Sequence, residues 1–437
     1  MPARTNPIIE ILRNRNHRRE KGVYSCCSAN AFVLRAVLRR ALAHQTVALV
    51  EATANQVDQN GGYTGMRPDG FRTFLEEIAR QEGFPAERLL LGGDHLGPLT
   101  WRHLPESEAM PRAEELVRAY ILAGFSKIHI DTSMRLADDN PDVRLPDAVI
   151  ARRGAELCAA CERAFAEYRT SCPDAPEPVY VIGSEVPIPG GAQKNEDYVE
   201  VTSPQDFRNT VSAFQSAFSA AGMDSVWGRV VALVVQPGVE FADESVVEYS
   251  RPKARELVAC LKEYPDLALE GHSTDYQPRS CLRELVEDGV AILKVGPALT
   301  FALREGLFAL ECVERELRGR TDFVPSHFRR TLEEAMIGDR RHWDKYYTGG
   351  VLDNRHSRAY SFSDRSRYYL PDKTVEKSIR RLLDNLETLG VPLALLSQYL
   401  PVQYERVRMG TLANRAEDIL LDHIGDRADD YLQAVLR

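Results

Sequence analysis

Eight short apolar segments, most of them ending in polar residues, recur over the first 300 residues of the chain. They are Val23–Ala29, Thr46–Thr53, Leu89–His95, Lys127–Ser133, Val179–Val186, Val230–Val239, Leu267–His272 and Ala291–Gly296. Between most of them, as in Glu114–Phe125, apolar residues follow the i, i+3, i+4, i+7 spacing of a helix with one buried face. Strand and helix alternating eight times predict a (β/α)₈ TIM barrel, an α/β fold. A doubly wound sheet is the alternative, but no dinucleotide-binding glycine motif follows the first segment.

The pattern changes beyond about residue 320. Helical segments with aromatic residues replace the strand repeat there. The chain has 437 residues, whereas a barrel fills about 250 as a single domain. We therefore expect a barrel over residues 1–318, which carries the strand-end site, followed by a C-terminal helical extension over residues 319–437 that contributes to the substrate pocket.

Composition excludes several classes of partner. The net charge is −9, with 55 basic and 64 acidic residues, which argues against a nucleic-acid surface. No run of 18 apolar residues is present, so we expect no membrane span, and the N-terminus lacks the apolar core of a signal peptide. Eight cysteines in a chain of this length do not make a disulfide framework. These features together predict a reduced, cytoplasmic protein.

Ionisable and polar residues gather at the ends of the predicted strands. The sharpest case is Arg88-Leu-Leu-Leu-Gly-Gly-Asp-His-Leu-Gly-Pro98, in which an apolar run ends in Asp94-His95. Ion pairs inside a barrel would explain two or three such residues, whereas convergence from six or more strands indicates a site, because barrel enzymes carry their chemistry at these ends. The strand-end residues are Ser25-Cys26, Glu51, Asp94-His95, His129, Asp131, Glu185, Gln236, Glu270, His272 and Lys294.

Three loops carry the features of substrate contacts. Asn55–Gly65 is polar and glycine-rich, like a loop that covers a substrate. Gly296-Pro297 opens a helix whose free N–H groups would bind an anion, although a merely capped helix is the alternative. Arg365 and Arg367 could clamp a phosphate, or the segment could be a surface loop paired with acids. The substrate-binding candidates are Glu51, Gln56, Gly296, Thr300, Arg365 and Arg367.

Three motifs make the sequence recognisable: Gly92-Gly-Asp-His-Leu-Gly-Pro98, Gly183-Ser-Glu-Val-Pro-Ile-Pro-Gly-Gly191 and Glu270-Gly-His-Ser-Thr-Asp-Tyr-Gln277. With them the chain closely resembles the tagatose-1,6-bisphosphate aldolase Z-type subunit family over nearly its whole length. Members of that family have been described as non-catalytic or chaperone-like subunits, and older labels make them tagatose-6-phosphate kinases. Related members are thought to epimerise ketoses or ketose 6-phosphates at carbon 4.

The family is similar to class II metal-dependent aldolases, which are (β/α)₈ barrels. The resemblance implies that Asp94 is an acid/base, that His95 and His272 are metal ligands, and that Glu185 belongs to the site. Class II aldolases use three metal histidines, whereas the sixth segment here offers Gln236 and no histidine. The third ligand would then be Glu185 or Gln236, or the metal is lost. Imidazole and carboxylate ligands suit zinc first, with manganese or cobalt as alternatives.

Carbon 4 of a ketose is not adjacent to the carbonyl, so simple deprotonation cannot invert it. Cleavage between carbons 3 and 4 gives an enediolate, which a metal can stabilise as a Lewis acid, and re-addition after the aldehyde rotates inverts carbon 4. Release of the aldehyde is aldol cleavage instead. Asp94 and Asp131 are the acid/base candidates, with Glu185 as a further catalytic candidate.

Other functions remain open at this stage. Lys294 could form a Schiff base if its pKa were lowered. A kinase has no support, since no G-x-x-x-x-G-K-[ST] loop is present. A non-catalytic role would make the chain a stabilising partner of a separate aldolase subunit. We expect a sugar or sugar phosphate as substrate and a homo-oligomer as the assembled form.

Overall fold

The computed structural model describes residues 4–13, 15, 21–184, 199–319 and 322–436. Eight parallel strands close a barrel in the order β1-β10-β9-β6-β5-β4-β3-β2, and a short antiparallel pair, β7 and β8, lies outside it. The predicted (β/α)₈ barrel is therefore confirmed. The strands are β1 (Val23–Cys26), β2 (Ala48–Thr53), β3 (Leu89–Leu96), β4 (Lys127–Ile130), β5 (Val179–Ile182), β6 (Val230–Val235), β7 (Glu240–Phe241), β8 (Val246–Val247), β9 (Ala268–Gly271) and β10 (Val290–Val295).

Helices surround this barrel and form the segment that follows it. They are α1 (Pro7–Arg13), α2 (Ala31–Ala43), α3 (Pro68–Gln81), α4 (Glu106–Leu122), α5 (Asp147–Ser171), α6 (Pro204–Ala220), α7 (Asp224–Trp227), α8 (Arg251–Leu261), α9 (Arg279–Glu287), α10 (Pro297–Glu316), α11 (Phe328–Gly338), α12 (Val351–Tyr360), α13 (Lys373–Leu389), α14 (Leu393–Tyr399), α15 (Pro401–Arg408) and α16 (Ala416–Val435). Short 3₁₀ turns lie at Ala86–Arg88, Pro98–Trp101 and Arg365–Tyr368.

The barrel interior is apolar at one end and charged at the other. At the amino-terminal ends of the strands, side chains such as Val23, Leu90 and Val181 form one apolar cluster with Ile8 and Leu12 of α1. Helix α1 therefore closes this end of the barrel. At the opposite end the inward-facing residues are ionisable, and this is the end at which barrel enzymes act.

The helices after residue 318 pack on the barrel rather than apart from it. Helix α16 contacts α2, α9 and α10. Its Tyr431 hydroxyl donates to the backbone carbonyl of Thr274, 2.7 Å away, in the loop after β9. Side chains from both segments belong to one continuous apolar core. The division into residues 1–318 and 319–437 stays a prediction, because the two segments share that core.

Among the residues that the structure describes, no helix combines the length and the apolar character needed to span a bilayer.

Candidate metal centre and active-site pocket

Three histidines and one aspartate converge at the carboxyl ends of the strands. Asp94 and His95 lie at the end of β3, His129 lies in β4 and His272 directly follows β9. Each offers a potential ligand atom within 4.8 Å of those of the other three. The imidazole centroids are 4.8 to 5.1 Å apart. All four side chains are buried. Such a group of donor atoms is what a transition metal requires.

Local backbone geometry brings β3 into this position. The strand passes so close to its neighbour that a Cβ on Gly97 would lie 1.7 Å from the carbonyl oxygen of Asp131. Only glycine permits this approach. His95 has φ of 49° and Ser273, directly after His272, has φ of 53°, in the left-handed region that non-glycine residues rarely adopt. Both residues line the same cavity, as strained residues at functional sites often do.

Carboxylates fix the orientation of two of the imidazoles. His95 Nδ1 lies 2.8 Å from Asp131 Oδ2, which leaves Nε2 for a ligand. His272 Nε2 lies 3.0 Å from Glu270 Oε1, which leaves Nδ1. Carboxylate–histidine pairs of this kind are the usual support of metal-binding histidines. Burial lowers the pKa of His272 to about 3, so that its ring is neutral and able to bind a metal at neutral pH.

His129 is the member of the cluster that the sequence analysis did not assign as a ligand. Its Nδ1 lies 2.9 Å from Asp94 Oδ1 and 3.2 Å from the backbone nitrogen of His95, and with the proton on Nδ1 it donates to Asp94 and leaves a lone pair on Nε2. Its Nε2 is buried and has no hydrogen-bond partner within the described part of the chain. An unpartnered imidazole nitrogen in a buried cluster is a donor atom suited to a cation. The sequence carried a signal for this role, since His129 was one of the strand-end residues.

A chain of buried ion pairs lies beneath this cluster. Lys294 contacts Asp94 Oδ1 at 2.8 Å and also pairs with Glu51. Lys127 contacts Glu51 Oε1 at 2.8 Å and Glu270 Oε2 at 2.6 Å. The side chains of Lys127, Glu51 and Glu270 have no exposed surface. This row of ion pairs thus ends at Asp94 on one side. On the other side it reaches His272 through Glu270.

Negative groups outnumber positive groups among these buried side chains, and a divalent cation would compensate the difference. Four carboxylates face two ammonium groups, so the carboxylates outnumber the ammonium groups by two. The carboxylates are Glu51, Asp94, Asp131 and Glu270, and the ammonium groups are Lys127 and Lys294. An uncompensated buried charge is strongly unfavourable. The donor set of three imidazoles and one carboxylate, the free Nε2 of His129 and this charge excess all fit a divalent transition metal.

Lys294 does not have the properties of a Schiff-base lysine. Burial alone would lower its pKa, but the carboxylates of Asp94 and Glu51 hold the pKa of Lys294 well above the ordinary value. A Schiff base requires the neutral amine. Burial would raise the pKa of Asp94. The positive charges of Lys294 and His95 outweigh that effect and keep the pKa of the Asp94 carboxyl well below its usual range. Asp94 is therefore ionised, which is the form that a general base requires.

Asp131, the second acid/base candidate, is committed to other contacts. Besides His95, it accepts hydrogen bonds from the backbone N–H and the hydroxyl of Ser133, at 3.1 and 2.7 Å. Although burial would raise it, the hydrogen bond from His95 lowers the pKa of Asp131 to about 2. Its geometry is that of a carboxylate that orients His95.

A cavity of about 90 Å³ opens above the cluster. Tyr63 from the predicted covering loop and Tyr368 from the C-terminal extension form part of its wall, with their rings 4.8 Å apart. A second cavity of about 420 Å³ shares Tyr63, Gln56 and Arg367 with the first. Ligand sites commonly measure about 300–1,000 Å³. The two neighbouring cavities together reach that size, and residues from both halves of the chain line them.

The predicted substrate contacts are distributed unevenly around these cavities. Gln56 lines both, while its amide bonds the backbone at Thr53 and Cys27. Glu51 lies below the cavity, in the buried ion chain. Thr300 lines the second cavity, and its hydroxyl donates to Asp364.

The start of α10, predicted as an anion site, is occupied by a carboxylate of the chain itself. Asp275 Oδ1 accepts hydrogen bonds from the backbone N–H groups of Gly296 and Ala298, at 3.0 and 2.8 Å. Asp275 is buried. These N–H groups therefore match the capped-helix alternative, and an anionic substrate group would have to compete with Asp275 for them. The assignment of Gly296 to substrate binding stays a prediction.

The two arginines of the predicted phosphate clamp lie in different surroundings. Arg367 lines both cavities and donates to the carbonyl oxygen of Asp364 at 2.9 Å. Arg365 is buried with its guanidinium over the ring of Tyr346, 3.4 Å from the centroid, and lines neither cavity. Of the pair, Arg367 is the one within reach of a ligand in the pocket.

Neither predicted third ligand can be placed at the cluster. Glu185 and the motif Pro187-Ile-Pro-Gly-Gly191 lie outside the described residues. Gln236 uses its side-chain oxygen to accept from the N–H groups of Gly238 and Val239, at 2.8 and 3.0 Å. Gln236 thus stabilises the turn after β6, and both assignments stay predictions.

The closed barrel with ionisable residues at the carboxyl ends of its strands is the architecture of barrel enzymes. The chain matches the family model described as D-tagatose-1,6-bisphosphate aldolase subunit GatZ/KbaZ-like over residues 8–436. It therefore belongs to the GatZ/KbaZ-like family, as the sequence motifs predict.

One solved structure agrees with this assignment. The chain is 42% identical to a probable tagatose 6 phosphate kinase from Sinorhizobium meliloti 1021, with a TM-score of 0.85 over 94% of this chain and all of that one. More distant are the fructuronate-tagaturonate epimerase UxaE from Cohnella laeviribosi (12% identity, TM-score 0.41, 95% of this chain and 82% of that one) and a fructose-bisphosphate aldolase from Campylobacter jejuni (12%, 0.41, 88% and 92%). The family assignment supports an aldolase-related role in carbohydrate metabolism.

Proposed function

We propose that this chain is a metal-dependent enzyme that inverts carbon 4 of tagatose and fructose, or of their 6-phosphates, by retro-aldol cleavage and re-addition at the bond between carbons 3 and 4. The observation that carries the proposal is the cluster of His95, His129 and His272 beside the Asp94 carboxylate, at the carboxyl ends of the barrel strands. We propose these three imidazoles as the ligands, with His129 in place of the histidine that β6 lacks. Zinc is the first candidate, and manganese or cobalt are alternatives.

A divalent cation held by these residues supplies a Lewis acid for the negative charge that carbon–carbon cleavage leaves on the ketose fragment. The protein contributes the proton transfer. Asp94, kept ionised by Lys294, accepts the proton of the carbon-4 hydroxyl as the bond breaks, and returns it after re-addition. Tyr63 and Tyr368 form part of the cavity wall, where they would help to retain the aldehyde and so favour re-addition.

The fate of the hydrogen on carbon 4 tests the route. Tagatose carrying deuterium at carbon 4 is incubated with the metal-loaded protein in ordinary water, and the fructose formed is analysed by mass spectrometry. We expect the label to be retained, because that hydrogen stays on the aldehyde carbon after cleavage. Loss of deuterium to solvent would establish deprotonation at carbon 4 instead. The His95→Ala protein serves as the blank.

The family description names a subunit, which favours a second function. In that reading the chain stabilises or assists a separate aldolase chain. The metal-loaded protein alone is tested on tagatose, fructose and their 6-phosphates. If it leaves all four unchanged but raises the activity of an aldolase that co-purifies with it, the chain is an aldolase subunit and not an epimerase.

We propose that Arg367 binds the phosphate group of a ketose 6-phosphate. Arg367→Ala should raise the KM for tagatose 6-phosphate at least about tenfold more than the KM for tagatose, because a hydrogen bond to a charged group is worth roughly 1.5–3 kcal/mol. Arg365→Ala is the matched control, since Arg365 stacks on Tyr346 outside both cavities. We expect it to affect both sugars equally. Equal effects of Arg367→Ala on both sugars would contradict the assignment.

A further inference from the structure

Lys127 is a buried cation for which the proposed reaction has no direct use. It lies in β4 with no exposed side-chain surface and does not line the cavity above the cluster. It forms ion pairs with two carboxylates, with its Nζ 2.8 Å from Glu51 Oε1 and 2.6 Å from Glu270 Oε2. Barrel interiors are generally filled with branched apolar side chains. Replacing buried ion pairs by apolar side chains is often neutral or stabilising, so stability alone does not account for Lys127.

The two oxygens of Glu270 have different partners. Oε2 contacts Lys127, while Oε1 contacts His272 Nε2 at 3.0 Å. The orientation of the His272 ring therefore depends on where the Glu270 carboxylate is held. Because Nε2 is engaged by Glu270, Nδ1 is the nitrogen that His272 can direct at the cluster. These contacts connect Lys127, which lies outside the pocket, through Glu270 to the candidate ligand His272.

We propose that Lys127 is a positioning residue of the metal centre: it anchors Glu270, and Glu270 holds His272 in the tautomer with the proton on Nε2 and with Nδ1 free for the metal. The inference rests on the proposed metal centre. Neither Lys127 nor Glu270 contacts the substrate cavity. They act on the metal centre through His272, as outer partners of metal-binding histidines act in other proteins.

The branch through Glu51 strengthens the argument. Glu51 joins Lys127 to Lys294, and Lys294 contacts Asp94 at 2.8 Å. One network of buried ion pairs thus supports both the proposed base and a proposed ligand. A Cβ on Gly92 would lie 2.5 Å from Glu51 Cγ, so the neighbouring strand leaves space for this carboxylate. The local sequence is built to admit the charges.

The test compares Lys127→Met with the wild type in the full-length protein. Two quantities are measured: the dissociation constant for Zn²⁺, by competition with a chromophoric chelator, and the tautomer of His272 in the metal-free protein, from its ¹⁵N ring shifts. We expect affinity about 10- to 100-fold weaker, the range typical for loss of such partners, and a tautomer population that shifts away from a single form. Unchanged affinity with an unchanged tautomer would overturn the proposal.

Arg153→Met is the matched control. Arg153 is an equally buried cation, 1% exposed, and it bonds Glu106 and Asp139 outside the barrel interior. We expect this variant to lose stability while it binds Zn²⁺ as the wild type does. Weakened Zn²⁺ binding by Arg153→Met to the same degree would mean that general loosening explains the result, and would overturn the role of Lys127.

A second variant covers the case in which Lys127→Met does not fold. In Lys127→Met/Glu270→Gln the buried charges are removed in a pair, and the glutamine oxygen can still accept from His272. We expect this protein to fold, to bind Zn²⁺ at least about tenfold more weakly and to show a mixed His272 tautomer; wild-type affinity and tautomer would overturn the proposal. Because the tautomer is measured without metal, a wild type that binds no Zn²⁺ would overturn the proposed function alone.

Discussion

His95→Ala should abolish both metal binding and turnover. The substitution removes one of three proposed imidazole ligands and leaves the Asp131 carboxylate, which bonds His95 Nδ1 at 2.8 Å, without its partner. A Lewis acid contributes several kcal/mol to transition-state stabilisation, and each 1.36 kcal/mol is a factor of ten. Turnover should therefore fall by at least about a thousandfold. Elemental analysis of dialysed protein, with circular dichroism to verify folding, makes the measurement.

His44→Ala is the matched control for this experiment. His44 follows α2 on the outside of the barrel and its ring faces Asp429. This variant should keep one metal per chain and full activity. His272→Ala and His129→Ala should behave like His95→Ala, and an unaffected His129→Ala would return Glu185 or Gln236 to the ligand set. Active wild-type protein without a transition metal would contradict the metal centre itself.

The sequence could predict those site residues whose direction is fixed by the alternation of side chains along a strand. Side chains two residues apart in a strand point to the same face. Lys127, His129 and Asp131 therefore all face the barrel interior, and the last two reach the cluster. This spacing was a usable signal for His129. The class II resemblance directed attention to β6 instead, where the following Pro-Gly turn takes up the side chain of Gln236.

Contacts between distant segments were beyond sequence reasoning. Asp275 lies 21 residues before Gly296 in sequence and nonetheless accepts its N–H. Arg365 and Arg367 were proposed together as a phosphate clamp because arginine binds such groups bidentately. They lie in a 3₁₀ turn, with three residues per turn, so that they point in different directions. The turn conformation, and not the composition, separates them.

Asp94→Asn should keep the metal and nearly abolish turnover. The asparagine oxygen can still accept from Lys294, which contacts Asp94 Oδ1 at 2.8 Å, and the three imidazoles remain in place. The amide cannot accept the proton of the carbon-4 hydroxyl. General base catalysis contributes typically about 10² to 10⁴ in rate, so kcat at saturating metal should fall within that range. Zn²⁺ affinity should change by less than the affinity of the His95 variant.

Asp131→Asn is the matched variant, and it separates two aspartates that the sequence left equivalent. Asp131 orients His95 and also bonds Ser133, so its replacement should weaken Zn²⁺ binding by about 10- to 100-fold. At saturating Zn²⁺ its kcat should largely recover, because the proposed base is intact. The reverse outcome, with kcat lost at saturating metal in Asp131→Asn and retained in Asp94→Asn, would transfer the role of the base from Asp94 to Asp131.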